Sequence, residues 1–89
     1  MKAFTIMACD CFRPEMITTV NRVSNPIVVF DNYDLPKEEE MMLQEANPDV
    51  VILYISANNC YVGRNMGIRH AYNHGAEFYL FTDSDWKVS

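Results

Sequence analysis

The stretch PIVVF, residues 26–30, is a continuous apolar run that ends at Asp31. It is rich in β-branched residues, and no polar residue alternates with them. Such a run is typical of a strand covered on both faces, as in a parallel sheet. Three further apolar runs share this character and predict three more strands: AFTIMAC at 3–9, VVILYIS at 50–56 and FYLFT at 78–82.

The segments between these runs carry apolar residues at helical spacing. They predict three helices, over residues 15–23, 37–46 and 62–73. The apolar face of the second helix is expected to include Met41, Met42 and Ala46. That of the third is expected to include Ile68, Ala71 and Tyr72. Asn47-Pro48 is typical of a helix end and should stop the second helix.

Four strands alternating with three helices predict an α/β fold of the order βαβαβαβ. We expect a Rossmann-like, mostly parallel four-stranded sheet flanked by helices. The 89 residues suffice for one domain, and no linker, repeat or low-complexity tract divides them. The prediction is therefore a single domain over residues 1–89.

The composition narrows the classes of partner. The net charge of −5 disfavours non-specific binding to nucleic acid, which depends on Lys and Arg at phosphates. Three cysteines form an odd number without a CxxC pair, which favours a reducing, cytoplasmic location. No apolar run is long enough to span a bilayer, so no membrane span is expected.

Polar residues follow each predicted strand. In open α/β sheets, ligands bind beyond the carboxyl ends of the strands. All four polar groups should therefore lie on one rim of the sheet, where they form the candidate site: residues 10–13, 31–34, 58–65 and 83–85.

Asp83 and Asp85 are the strongest metal candidates on this rim. Two carboxylates one residue apart could ligate Mg²⁺ or Mn²⁺, with phosphate oxygens and waters completing the shell. A solvated acidic turn is the alternative. Asp31 has a similar pair of interpretations, because a carboxylate at a strand end can accept from an imide N–H or close an Asx-type turn.

The segment NNCYVGRNMG, residues 58–67, combines a predicted helix start with two glycines and one arginine. Gly63 and Gly67 permit close backbone approach, and Arg64 would suit a diphosphate. The alternative explanations are close helix–sheet packing for the two glycines and a surface ion pair for Arg64. Neither a P-loop nor a GxGxxG fingerprint is present.

Four motifs in this order resemble the nucleotide-binding half of a GT-A glycosyltransferase of the large family 2 type. Each motif is short, but together the four cover essentially the whole chain. FRPEMI at 12–17 resembles the family's NRPELL, and VVFDNYD at 28–34 resembles its VVDNGSTD. The pattern of Asn58, Arg64-Asn65 and Gly67-Ile68 resembles NxGxxxARNxGI, and YLFTDSD at 79–85 resembles YIxFLDxDD.

The resemblance implies a minimal or truncated GT-A fold that binds a nucleotide-diphosphate sugar, with UDP-sugar favoured, through Mn²⁺ or Mg²⁺. Asp31 would accept from uracil N3–H, Arg64 would contact base or diphosphate, and Asp83 would face ribose and donor sugar. Asp83 and Asp85 would hold the metal. The full set expected at the nucleotide sugar is Cys9, Asp10, Cys11, Arg13, Asp31, Asn58, Arg64 and Asp83.

The chain also departs from the family pattern. Cys60 stands where the family commonly has Gly, and Tyr33 replaces a Gly. The family's acceptor half, with its catalytic base and the surface for a glycan or other hydroxyl acceptor, would follow Asp85, so no base is assigned. The alternative is therefore a non-catalytic nucleotide-sugar-binding or interaction module. Half a sheet leaves an open edge, which predicts a homo-oligomer.

Overall fold

Strands and helices alternate along the chain as predicted. The computed structural model describes residues 2–83, except for the side chains of Cys60 and Asp83. Within that range the chain forms seven elements, in the order β1 (Ala3–Cys9), α1 (Glu15–Arg22), β2 (Pro26–Asp31), α2 (Lys37–Ala46), β3 (Val51–Ile55), α3 (Cys60–Asn73) and β4 (Phe78–Asp83).

The four strands form one parallel sheet in the order β3-β2-β1-β4. The first three strands are added in one direction, and β4 then returns to the opposite side of β1. The register pairs Met7 with Val28 and Ala8 with Asp83. The direction of strand addition therefore reverses between β1 and β4, which makes this the topological switch point of the sheet.

Helices cover both faces of the central strands. On one face, α1 and α2 pack through Met16, Val20 and Leu43 against side chains of β1 and β2. On the other face, α3 contributes Ala71 to a second cluster. The β2 residues 27–30 are fully buried between these layers. This confirms that the continuous run PIVVF is a strand covered on both sides.

Two details of the helix faces differ from the prediction. Met41 and Met42 are about half exposed, and the buried residue of α2 is Leu43. Tyr72 is 77% exposed, whereas its neighbour Ala71 is fully buried. In α3 the small side chain of Ala71 is buried because this helix lies close to β1 and β2, whereas the large side chain of Tyr72 points outward.

Two glycines set the distance between α3 and β1. A Cβ atom at Gly63 would lie 3.0 Å from the Cβ of Ala8, and one at Gly67 would overlap the side chain of Ile6. The backbone of α3 therefore contacts side chains of β1 directly at both glycines, which supports the prediction that they allow close helix–sheet packing.

Asn47 joins the ends of α1 and α2. Its Nδ2 donates to the carbonyl oxygens of Val20 and Val23, each at 3.1 Å, and its Oδ1 accepts from the backbone N–H of Asp49. The helix ends at Ala46, which confirms the stop predicted at Asn47-Pro48. One side chain thus satisfies carbonyl groups at the end of the preceding helix.

Strand β4 is the least covered part of the sheet. Phe78 and Leu80 share the face of α1 and α2, yet they are 43% and 59% exposed because those helices lie over β1, β2 and β3. Tyr79 and Phe81, on the α3 face, are 42% and 47% exposed.

None of the helices in residues 2–83 is long and apolar enough to cross a membrane.

Candidate functional site

The carboxyl ends of the four strands meet at one edge of the sheet because all the strands run parallel. Asp10 follows β1, Asp31 ends β2, Ser56 follows β3 and Asp83 ends β4. The polar segments predicted to share a rim are therefore brought to the same edge. Asp85 lies outside the described residues.

The carboxylate of Asp31 binds the loop between β3 and α3. Its Oδ1 accepts from the backbone N–H groups of Ala57 at 2.8 Å and Asn58 at 2.9 Å, and its Oδ2 accepts from Asn59 at 2.7 Å. The bonds from Ala57 and Asn58 hold the pKa of Asp31 below its usual value, against a smaller opposing effect of partial burial. The ionised carboxylate thus fixes the start of α3.

Asn32, Ser56 and Asn58 form further hydrogen bonds beside Asp31, between the end of β2 and the β3–α3 loop. Asn32 Nδ2 donates to Asn58 Oδ1, and Ser56 Oγ donates to Asn32 Oδ1. Asn32 and Asn58 both have left-handed backbones, with φ of 55° and 51°, which asparagine tolerates better than most residues. Ser56 was not among the residues predicted for the site. Its position directly after β3 is the signal that would have found it.

Asn59 is the N-cap of α3, which begins at Cys60, two residues earlier than the apolar pattern predicted. Its Oδ1 accepts from the backbone N–H of Tyr61 at 2.8 Å. Asparagine is among the preferred N-cap residues, and this bond satisfies one of the unpaired donors of the first turn. Asp31 and Asn59 together therefore satisfy backbone N–H groups at the start of α3.

The β1–α1 segment divides between core and surface. Cys9 is buried, and its Sγ contacts the carbonyl oxygen of Val29 at 3.6 Å, so its thiol belongs to the core. Asp10 and Arg13 form an exposed ion pair at 3.2 Å. Cys11 is half-buried near Tyr33, whose pKa is raised by burial first and by Glu39 and Cys11 to a smaller extent.

Arg64 lies on the β4 side of α3. Its guanidinium carbon is 5.9 Å from the ring centre of Tyr61 and 5.6 Å from that of Phe81. Phe81 pairs with Ile6, whose side chain packs on the α3 face of the sheet, so Phe81 also faces α3. Apart from those of the β1–α1 segment, the predicted residues form two groups, with Asp31 and Asn58 at the ends of β2 and β3, and Arg64 and the backbone of Asp83 at β4.

The predicted metal pair falls only partly within the described residues. The backbone of Asp83 lies at the end of β4, paired with Ala8 across the switch point. Carboxylate oxygens are the ligands that Mg²⁺ and Mn²⁺ prefer, so a metal at Asp83 and Asp85 stays a prediction from the motif. The described residues contain no cluster of three or more His, Cys, Asp or Glu side chains that could hold a metal.

Comparison with known proteins gives no match to a family model, to a curated protein or to a solved structure. The resemblance to GT-A glycosyltransferases therefore stays a prediction from the four motifs.

Proposed function

We propose that this chain is a minimal GT-A-like domain that binds a nucleotide-diphosphate sugar, with UDP-sugar as the favoured donor. The observation that carries the proposal is the switch point between β1 and β4. In open α/β sheets, ligands bind in the crevice at such a point. Asp83 stands on one side of this crevice, Asp10 follows the strand on the other, and α3 crosses beside it.

The two groups of rim residues would bind different parts of the donor, the base at Asp31 and the diphosphate near Arg64. An ionised carboxylate has about four acceptor directions, and Asp31 uses three of them on backbone N–H groups. One direction is left for an imide N–H such as that of uracil. Arg64, on the β4 side, would lie with the charged part of the donor.

Asp83 and Asp85 would hold the divalent cation beside the diphosphate. When bound, Mn²⁺ or Mg²⁺ supplies Lewis-acid stabilisation of the negative charge on the departing nucleoside diphosphate. The chain's own residues bind and orient the donor. Glu77 precedes β4, and its Oε1 accepts from the backbone N–H of Lys2 at the opposite edge of the sheet, so it is poorly placed to act as a base. The proposed activity is donor binding with glycosyl transfer or slow donor hydrolysis.

Calorimetric titration tests this proposal. UDP, GDP and their sugars are titrated with and without Mn²⁺, and we expect a uridine compound to bind only when the metal is present. Asp85→Ala should weaken that binding at least about tenfold, in line with the loss of a charged metal ligand. Asp49→Ala is the control, because it removes an acid that precedes β3 at the opposite edge. If none of these compounds binds in a metal-dependent way, the donor site does not exist.

A second candidate function, a non-catalytic oligomeric module, is supported by β4. Four consecutive apolar side chains, residues 78–81, are each more than 40% exposed. Within residues 2–83, β4 pairs with β1 alone. The open edge presents unpaired backbone groups that another strand can satisfy, and we propose a second copy of this chain as that partner.

Light scattering at several protein concentrations tests the oligomer. We expect a dimer that Leu80→Lys converts largely to a monomer, because a charge on the apolar edge opposes strand pairing. Met42→Lys changes an equally apolar, half-exposed residue on α2 and should leave the mass unchanged. A wild-type monomer at the highest concentration would refute pairing through β4.

A further inference from the structure

The guanidinium of Arg64 lies over two aromatic rings that belong to different elements. Tyr61 is in the first turn of α3 and Phe81 is in β4. The distances of 5.9 Å and 5.6 Å are within the range of cation–π attraction. The rings are 69% and 47% exposed, so burial in the core does not account for their positions. We call Tyr61, Arg64 and Phe81 the arginine clamp.

The two rings restrict the position of Arg64 through cation–π attraction. A guanidinium group carries five N–H donors in its plane, whereas a ring over the group engages its flat face. Two rings from different elements thus limit the rotamers of the Arg64 side chain. A side chain that is ordered before binding loses less entropy when a ligand arrives.

The clamp lies at the switch point. Phe81 pairs with Ile6 and Asp83 with Ala8, so Phe81 is one step below the end of β4 on the face that α3 covers. Gly63, next to Arg64 in the chain, brings the helix backbone against Ala8. The guanidinium is therefore held on the α3 face of the sheet, near the carboxyl ends of β1 and β4.

We propose that Tyr61 and Phe81 are positioning residues that hold Arg64 toward the diphosphate of the donor. The identity of the ligand rests on the proposed function, but the clamp itself does not. This assigns Arg64 to the diphosphate and not to the base. The reason is geometric, since Arg64 leans toward β4, whereas Asp31 lies at the end of β2 and binds the β3–α3 loop.

The first test uses the protein without ligand. Relaxation of the ¹⁵Nε–H group of Arg64 is measured in the wild type, in Phe81→Leu and in Phe78→Leu. Phe78 is a matched control, because it lies in the same strand on the opposite face and is similarly exposed. We expect an ordered Arg64 whose order parameter falls below about 0.6 only in Phe81→Leu. Equal mobility in all three proteins would overturn the clamp. Tyr61→Leu, a change at a largely exposed position, replaces Phe81→Leu if that variant does not fold.

The second test measures UDP affinity in the presence of Mn²⁺. Phe81→Leu and Tyr61→Leu should each weaken binding about two- to fivefold, and Phe78→Leu should not. Arg64→Met should weaken it more, and adding Phe81→Leu to Arg64→Met should cause no further loss, because the ring acts through the arginine. Additive losses, or equal losses in the two phenylalanine variants, would overturn the positioning role.

The two failures are distinguishable. If Arg64 is ordered by the rings but the wild type binds no nucleoside diphosphate, the proposed function is wrong. The same variants are then titrated with inorganic pyrophosphate. Weaker pyrophosphate binding in Phe81→Leu, but not in Phe78→Leu, supports the clamp as an anion-positioning device. No binding of pyrophosphate to the wild type overturns it.

Discussion

Gly67→Ala is expected to lower the free energy of unfolding by about 1–3 kcal/mol, the usual range for overpacking a core. The added methyl group would overlap Ile6 Cγ2, and Ile6 is fully buried in β1, one of the two central strands. Neither the helix nor the strand can move without disturbing other contacts. The loss should appear although alanine has a higher helix propensity than glycine by about 1 kcal/mol. Urea denaturation followed by circular dichroism measures it.

Two variants of α3 serve as controls for the Gly67 prediction. Gly63→Ala meets the Cβ of Ala8 at 3.0 Å, a tight contact but not an overlap, so its loss should be smaller. Asn65→Ala lies on the exposed side of the helix and reports the effect of propensity alone. A Gly67→Ala protein as stable as Asn65→Ala would show that α3 is farther from β1 than the structure indicates.

Asp31→Asn is expected to lower the Tm by an amount on the order of 5 °C at pH 7. Three backbone N–H groups of the β3–α3 loop donate to this carboxylate. Asparagine keeps one acceptor oxygen but brings an NH₂ group against a backbone donor, so at least one bond is lost and the others lose their charge. Thermal unfolding measures the change. Asp34→Asn removes the same charge from an exposed neighbour and should change the Tm little.

The Asp31 contribution should depend on pH in a defined direction. Its pKa in the folded protein lies below the ordinary value of 3.8, so the unfolded chain takes up a proton first as the pH falls. The stabilisation is therefore complete above the unfolded pKa and is lost as the pH falls through the folded pKa. The difference in Tm between the wild type and Asp31→Asn should thus shrink below about pH 4. A difference that is constant down to pH 2 would contradict the role of the ionised carboxylate.

The strands were predictable because burial on both faces leaves a continuous apolar run. The buried faces of the helices were less predictable. Met41 and Met42 follow a helical pattern as well as Leu43 does, and only the position of the sheet decides that Leu43 is buried. The sequence of α3 likewise does not distinguish Ala71 from Tyr72 until its distance from β1 is known.

The site was predictable as a rim but not as a set of contacts. A parallel sheet places the four polar segments together, and that follows from strand order along the chain. The partners of Asp31 are 26–28 residues away in sequence, and no local pattern contains them. The ring of Phe81 reaches Arg64 only because β4 is added beside β1. The metal, the donor and the oligomer remain predictions to be measured.

The pairing of β1 with β4 has a consequence for the order of folding. The backbone N–H of Lys2 donates to Glu77 across 75 residues of chain, and the strands that pair beside this contact are as far apart in sequence. Pairing of this kind requires the closure of the longest loop, so it is slow relative to contacts among β1, α1 and β2. The pairing of β1 with β4 is therefore expected to form last and to open first. A ligand that contacts both strand ends would stabilise this pairing.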